Sequence, residues 1–219
     1  MIRVLLADDD PLVRSGLRLM LGGADDIEVV AEAADGSEVA ALVDTYAPDL
    51  VLMDIRMPTV DGLEATQLLR ERPSPPAIVM LTTFQTDEYV LRALQSGAAG
   101  FLLKHTAPGE IVAAVRRVAA GEPVLSPAVT QQLITRLTTA PDTGRRAQTL
   151  RAREALALLG DREREVAVAV GRGRTNAEIA AELYMGVPTV KAHVSHILTK
   201  LGLSNRVQIA LTVHDAGEA

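Results

Sequence analysis

Residues 50–58 read Leu50-Val51-Leu52-Met53-Asp54-Ile55-Arg56-Met57-Pro58. Four apolar residues run without interruption, a single carboxylate ends the run, and Pro58 closes the segment. A strand wetted on one face alternates apolar and polar side chains, so a continuous run of this length belongs to a strand covered on both faces. Outward from it the pattern recurs at Val4–Ala7, Ile27–Val30, Ile78–Leu81 and Phe101–Leu103. Helix-period stretches lie between, roughly 11–22, 36–46, 61–72, 86–96 and 108–120. Gly97, Gly100 and Gly121 punctuate the last units, and Pro73-Ser74-Pro75-Pro76 separates the third helix from the fourth strand. Five β-α units imply an α/β fold with a doubly wound, five-stranded parallel sheet.

After Gly121 strand patterns stop. Residues 126–138 look helical, the following TTAPDTGRRAQT loses apolar periodicity and reads as a linker, and from about 152 short helices follow. The expected organisation is an α/β domain over 1–121, a helical segment and linker over 122–151, and a small all-α domain over 152–219.

Composition narrows the function. Of 219 residues 48% are apolar and 23% charged, enough for proper cores. Apolar runs break well short of the roughly 18–20 residues a membrane span needs, and MIRVLLADDD lacks the apolar region of a signal peptide, so a cytoplasmic protein with no membrane partner is expected. With no Cys, thiolate metal sites and cysteine nucleophiles are excluded. Two Phe, three Tyr and no Trp argue against stacking platforms for single strands. Taken whole, the net charge of −6 disfavours nucleic acid, but it is uneven: residues 1–121 carry ten Lys and Arg against eighteen Asp and Glu, and residues 122–219 carry twelve against ten.

In a doubly wound sheet, sites form beyond the carboxyl ends of the strands. Asp8, Asp9 and Asp10 end the first strand, Asp54 the third, Thr82 the fourth and Lys104 the fifth. Taken singly, each has a plain reading: a turn and cap before Pro11, an Asx turn, an ordinary strand end. Together at one edge, carboxylates from two strands repel unless a cation sits among them, and hard oxygen ligands suit Mg²⁺. An ammonium and a hydroxyl beside them suit an anion carried by one carboxylate. The pattern points to a carboxylate nucleophile that takes a phosphoryl group with metal help.

LLADDD, LVLMDIRMPTVDG, VMLTTF and GAAGFLLK resemble the four signature segments of response-regulator receiver domains, across residues 2–121 essentially without gaps. The resemblance implies Asp54 as phosphoacceptor, and Asp8, Asp9, Asp54 and the Arg56 backbone carbonyl as Mg²⁺ ligands. It also implies Thr82 and Lys104 as partners of the phosphoryl oxygens and Phe101 as the aromatic that rotates between states. A buried strand Phe is the plain reading of the same residue. His105 stands where the family often has Pro, so a trans Lys104–His105 bond is expected, the cis form of a non-proline bond costing about 2.5–4 kcal/mol. Phe101 also lacks the hydroxyl of the Tyr often found there.

In the second half, Thr175-Asn176-Ala177-Glu178 reads as a capping box, a turn follows at Met185-Gly186, and Pro188 stands near the start of a helix over 187–201. Val190, Val194, Ile197 and Leu201 make its core face; the opposite face carries Pro188, Ala192, Ser195 and Thr199, flanked by Lys191 and His196, with no acid between 187 and 201. Such a face fits a major groove, although a plain helical bundle shares the pattern. LGDREREVAVAVGRGRTNAEIAAELYMGVPTVKAHVSHILTKLGLSNRVQIA, about 159–210, resembles the LuxR-type helix-turn-helix, TVKAHV and KLGLSNR most specifically. The resemblance implies a supporting helix over 175–184, a recognition helix over 187–201 and a dimerisation helix over 204–215. Lys191 is then the leading DNA contact, with Thr189, Ala192, Ser195 and Lys200 as further candidates. Gly160 and Gly186 stand where the family usually has Thr or Ser caps. His193 and His196 read as packing or phosphate-facing residues, with no third metal ligand in view.

The whole resembles a two-component response regulator of the NarL/FixJ type. This implies a histidine kinase, double-stranded DNA, a homodimer on phosphorylation and RNA polymerase as partners, with no enzymatic turnover of external substrates. An acyl-phosphate phosphohydrolase is the competing enzyme reading, but it needs a second carboxylate two residues after the nucleophile, where Arg56 stands. A regulator gated by protein contacts alone is the third reading.

Overall fold

A computed structural model of the chain describes residues 1–83, 92–125 and 142–218. The chain divides into two compact units, Met1–Thr130 and Gln131–Ala219. The first contains β1 (Ile2–Ala7), α1 (Pro11–Gly22), β2 (Ile27–Ala33), α2 (Gly36–Tyr46), β3 (Leu50–Asp54), α3 (Gly62–Arg70), β4 (Ala77–Thr82), β5 (Gly100–Leu103), α4 (Pro108–Ala119) and β6 (Val124–Leu125). Of the helix expected over 86–96, residues 92–95 are helical and 86–91 lie outside the described residues.

All five expected strands form, in the order β2-β1-β3-β4-β5, and every pairing is parallel. A sixth strand follows Gly121, where strands were expected to stop: β6 extends β5 in parallel, with Gly100 opposite Val124 and Phe101 opposite Leu125. Two residues are too few for any periodicity to register.

The uninterrupted apolar runs are explained by two covered faces. Val4, Leu6, Leu50, Leu52, Val79 and Leu81 share a core with Leu17 and Leu21 of α1 and Ile111, Val115 and Val118 of α4. The alternating residues Leu5, Val51, Met53, Ile78, Met80 and Phe101 are buried as well, and a strand's period of two turns them to the opposite face. Carboxylates start the first three helices, as at α1 and α3: Asp10 Oδ1 accepts from Leu12 N at 2.8 Å, with Pro11 in the first turn, and Asp61 Oδ1 accepts from Glu64 N at 2.8 Å.

The second unit is helical: α5 (Asp142–Ala157), α6 (Asp161–Gly171), α7 (Asn176–Glu182), α8 (Val187–Leu201) and α9 (Arg206–Ala216). Residues 142–151, read as linker, are the first part of α5. Their Gly, Thr and Arg content leaves no apolar stripe, and the buried Ala152 and Leu156 fall only in the helix's later turns. The segment 126–138, expected to be helical, lies outside the described residues. Ala152, Leu156, Val166, Val170, Ile179, Val190, Val194, Ile197, Ile209 and Val213 contribute to one core.

The capping box forms as read. Thr175 N donates to Glu178 Oε2 at 2.7 Å, and Glu178 N donates to Thr175 Oγ1 at 3.2 Å. Gly186, at φ −77°, is the N-cap of α8, in the place the family pattern implied. The turn before it differs in detail, because Tyr184 takes the left-handed conformation at φ 54°. Among the described residues no helix is long and apolar enough to cross a membrane.

Candidate functional site

The strand order reverses between β1 and β3, which opens a crevice at their carboxyl ends. Ala7 is in register with Met53, so Asp8 and Asp54 leave the sheet side by side. Both are buried, at 1% and 6% exposure, whereas Asp9 faces solvent. One carboxylate oxygen from each of Asp8, Asp9 and Asp54 lies within 4.8 Å of the others. Lys104, the first residue after β5, places Nζ 2.6 Å from Asp8 Oδ2 and 2.7 Å from Asp54 Oδ2. Its backbone N donates to the carbonyl of Thr82, the buried last residue of β4, at 2.9 Å.

The structure therefore brings Asp8, Asp9, Asp54, Thr82 and Lys104 to one edge, with Arg56 in the loop directly after β3. Phe101 stands apart, fully buried within the sheet beside Met80. The Lys104–His105 bond is trans, as expected.

The electrostatics follow from burial and pairing. Desolvation pushes the Asp8 carboxyl above its ordinary pKa of 3.8, against the pull of the Lys104 ammonium and the Asp10 amide, which donates to Asp8 Oδ1 at 3.0 Å. Burial works to lower the Lys104 pKa, but hydrogen bonds to Asp54 and Asp8 outweigh it and leave the group raised. Arg14 steadies the Asp8 backbone: Nη1 donates to the Asp8 carbonyl at 2.6 Å while Nε pairs with Glu32 at 3.2 Å.

Three residues that hold the loop after Asp54 were missed in the sequence. Asp35 is 9% exposed; its Oδ2 accepts from Thr59 N at 2.7 Å, and its Oδ1 accepts from Val60 N at 3.3 Å and Ser37 N at 3.0 Å. Gly36 N donates to the Val60 carbonyl at 3.2 Å. A Cβ at Gly62 would stand 2.0 Å from the Asp54 carbonyl oxygen, so only glycine fits there. The available signal was Asp35-Gly36-Ser37, an Asx-turn triplet opening a helix.

In the second unit, the outer face of α8 is built as read. Thr189, Lys191, Ala192 and Ser195 are exposed, and Val190, Val194 and Ile197 are buried beneath them. Lys191 makes no ion pair among the described residues. Lys200 does: its Nζ lies 2.9 Å from Glu163 Oε2, an oxygen that also accepts from Gly160 N at 3.0 Å. Gly160 has no side chain to cap α6, so Glu163 supplies half of a capping box from within the helix.

Two family descriptions cover most of the chain. "Response regulator receiver domain" matches residues 4–116, and "Bacterial regulatory proteins, luxR family" matches residues 157–213. The chain belongs to the NarL/LuxR family of response regulators. It is 39% identical to the transcriptional regulatory protein LiaR of Bacillus subtilis (strain 168), covering 98% of this chain and 97% of that protein. It is 37% identical to the nitrate/nitrite response regulator NarL of Escherichia coli (strain K12), over 96% of this chain and 94% of that one. Among solved structures it is similar to the response regulator ChrA of a heme-sensing two-component system. The identity is 35% and the TM-score 0.53, covering 100% of this chain and 98% of that one.

This NarL/LuxR-family regulator thus joins a receiver domain to a LuxR-type helix-turn-helix that binds DNA in transcription regulation. Its acidic edge also suits a divalent ion. Among the described residues the one group of three or more His, Cys, Asp and Glu side chains able to hold a metal is Asp8, Asp9 and Asp54. All three offer hard carboxylate oxygens, and the exposed Asp9 leaves the site open to solvent, which fits Mg²⁺ with its retained waters.

Proposed function

We propose that Asp54 is the phosphoacceptor of this two-component response regulator and that a partner histidine kinase is the donor. A carboxylate oxygen of Asp54 attacks phosphorus, the donor's phosphorus–nitrogen bond breaks, and an aspartyl acyl phosphate forms. The observation that carries this reading is the placement of Lys104 Nζ at 2.6 and 2.7 Å from Asp8 and Asp54, a cation already aimed at the reacting carboxylate. Asp8, Asp9, Asp54 and the Arg56 carbonyl would hold Mg²⁺, which when bound offsets charge on the phosphoryl oxygens. Lys104 steadies the new anion from the other side, and Thr82, at the end of β4, offers its hydroxyl to the same oxygens. Phe101 serves as the switch aromatic.

The added charge of roughly −2 biases a two-state shift that controls dimerisation and DNA binding by the domain over 152–219, with 1–121 as receiver and the residues between as connection. Dimers place two α8 helices on paired half-sites with spacing set by their two-fold geometry. Lys191 leads the contacts, with Thr189, Ala192, Ser195 and Lys200 beside it, and the protein works in the cytoplasm as a regulator, not an enzyme. RNA polymerase is its further partner at the promoter.

The test uses a small phosphodonor with Mg²⁺ on the wild type and Asp54→Ala. Covalent phosphate is expected on the wild type and none on the variant. Labelling of the variant at the wild-type level overturns the assignment. Affinity selection of DNA with phosphorylated and unphosphorylated protein, at stated salt, then reads the coupling.

A further inference from the structure

We propose that Asp35 is a positioning residue for the phosphoacceptor site, clamping the loop 55–61 so that the Ile55 amide and the Arg56 carbonyl stay where that site needs them; the inference rests on the reading of Asp54 given above.

Asp35 lies outside the acidic cluster, at the junction of β2 and α2, and its plain role is to cap α2. A cap needs one oxygen and one amide, and Oδ1 meets that need through Ser37 N at 3.0 Å. Oδ2 is directed elsewhere, to Thr59 N at 2.7 Å, and Oδ1 also takes Val60 N at 3.3 Å. A Ser or Thr cap has one oxygen, whereas the carboxylate of Asp35 turns a second oxygen to the loop. The carboxyl is held well below its ordinary range by the Ser37 hydroxyl and by the amides of Thr59, Ser37 and Val60, so it stays an ionised acceptor.

The backbone confirms how closely the two elements are pressed together. A Cβ at Gly36 would stand 2.3 Å from the Val60 carbonyl oxygen, and Gly36 N donates to that same oxygen at 3.2 Å. At the near end of the loop, Gly62 N donates to the Ile55 carbonyl at 2.9 Å. The loop is therefore fastened at 55 and at 59–60, with Arg56 between the two fastenings. Ile55 N in turn donates to Asp54 Oδ1 at 2.7 Å, setting the rotation of the phosphoacceptor carboxylate. Groups that orient metal ligands without touching the ion typically change metal affinity about 10–100-fold.

The experiment compares full-length wild type, Asp35→Ala, Asp35→Asn and Ser37→Ala. Calorimetric Mg²⁺ titration, amide hydrogen exchange over 55–60, and phosphorylation by a small donor across a Mg²⁺ series are the readouts. Asp35→Ala is expected to weaken Mg²⁺ binding about ten-fold, to speed exchange over 55–60, and to leave the rate at saturating Mg²⁺ near wild type. Asp35→Asn, which keeps one accepting oxygen, should recover part of the affinity. Ser37→Ala, which removes a donor to Asp35 but none to the loop, should match wild type. If Asp35→Ala does not fold, Asp35→Asn carries the test, with an intermediate Mg²⁺ affinity expected. Wild-type Mg²⁺ affinity and unchanged loop exchange in both Asp35 variants overturn the clamp alone. A wild type that takes up neither Mg²⁺ nor phosphate overturns the reading of Asp54, and this inference with it.

Discussion

The acidic edge of the sheet and the outer face of α8 are the two surfaces to which the proposed function assigns work, and they are built on opposite plans. At the sheet edge, residues far apart in the chain converge, two carboxylates are nearly buried, and Lys104 forms an ion pair with each. On α8, neighbours within one helix line an exposed face, and Lys191 has no ion-pair partner among the described residues. A site that performs chemistry must hold its groups before the reactant arrives, and this costs buried charge. A surface that reads another polymer keeps its charges solvated until that polymer supplies the counter-charges.

Substitutions can break this comparison. The largest effect is expected in the core under α8. Ile197 is fully buried, and Ile197→Ala should cost about 3 kcal/mol. Urea unfolding should show the loss in the helical unit alone, with phosphorylation of Asp54 unchanged. If phosphorylation fell too, the two surfaces would not be independent.

Next is Lys104→Met, which leaves Asp8 and Asp54 facing each other without the ammonium. We expect a loss of about 2 kcal/mol near neutral pH, below the range for a fully enclosed pair because the edge opens to solvent. The pH dependence has a fixed sign. The folded pKa of Lys104 is raised, so its stabilisation is complete below the usual lysine value of 10.5 and lost as pH rises through the folded value. Wild-type stability should therefore fall in this alkaline window by an amount that Lys104→Met no longer shows.

Smaller effects sharpen the comparison on the DNA side. Lys191→Ala should weaken operator binding about ten-fold and lower the salt slope by about one, read by titration at two salt concentrations. Lys200→Ala should do less than Lys191→Ala, because Lys200 is already paired with Glu163. An exposed pair of this kind contributes under about 1 kcal/mol to folding, so thermal melts should barely move. Equal losses of DNA affinity from the two substitutions would show that the Glu163 pair opens on DNA.

Much of this was legible in the chain because the relevant signals are local. A strand covered on both faces reveals itself in five residues, and the Thr175–Glu178 capping box in four. Strand-end polar residues of a doubly wound sheet converge by topology, so Asp8, Asp54, Thr82 and Lys104 could be assigned to one edge before their distances were known. What escaped depends on partners distant in sequence. Asp35 looks like any helix cap until Thr59 and Val60 are placed against it. Strand β6 exists only because β5 offers it an edge, and Lys200 loses its independence only when α6 packs Glu163 beside it. Tyr184 taking the left-handed turn residue in place of the neighbouring glycine had no local warning, since a left-handed non-glycine residue is disfavoured on sterics alone.

The two-residue strand β6 has a mechanical consequence. Phe101 belongs to β5 and Lys104 directly follows it, and Val124 and Leu125 pair in parallel with that same strand. The polypeptide therefore pairs, through β6, with the strand whose end presents Lys104 to Asp54. Whatever shifts β5 shifts the point from which the chain sets out toward its DNA-binding end. In the switch proposed above, this ties β6 to the strand that carries Phe101 and presents Lys104, rather than to the opposite edge at β2.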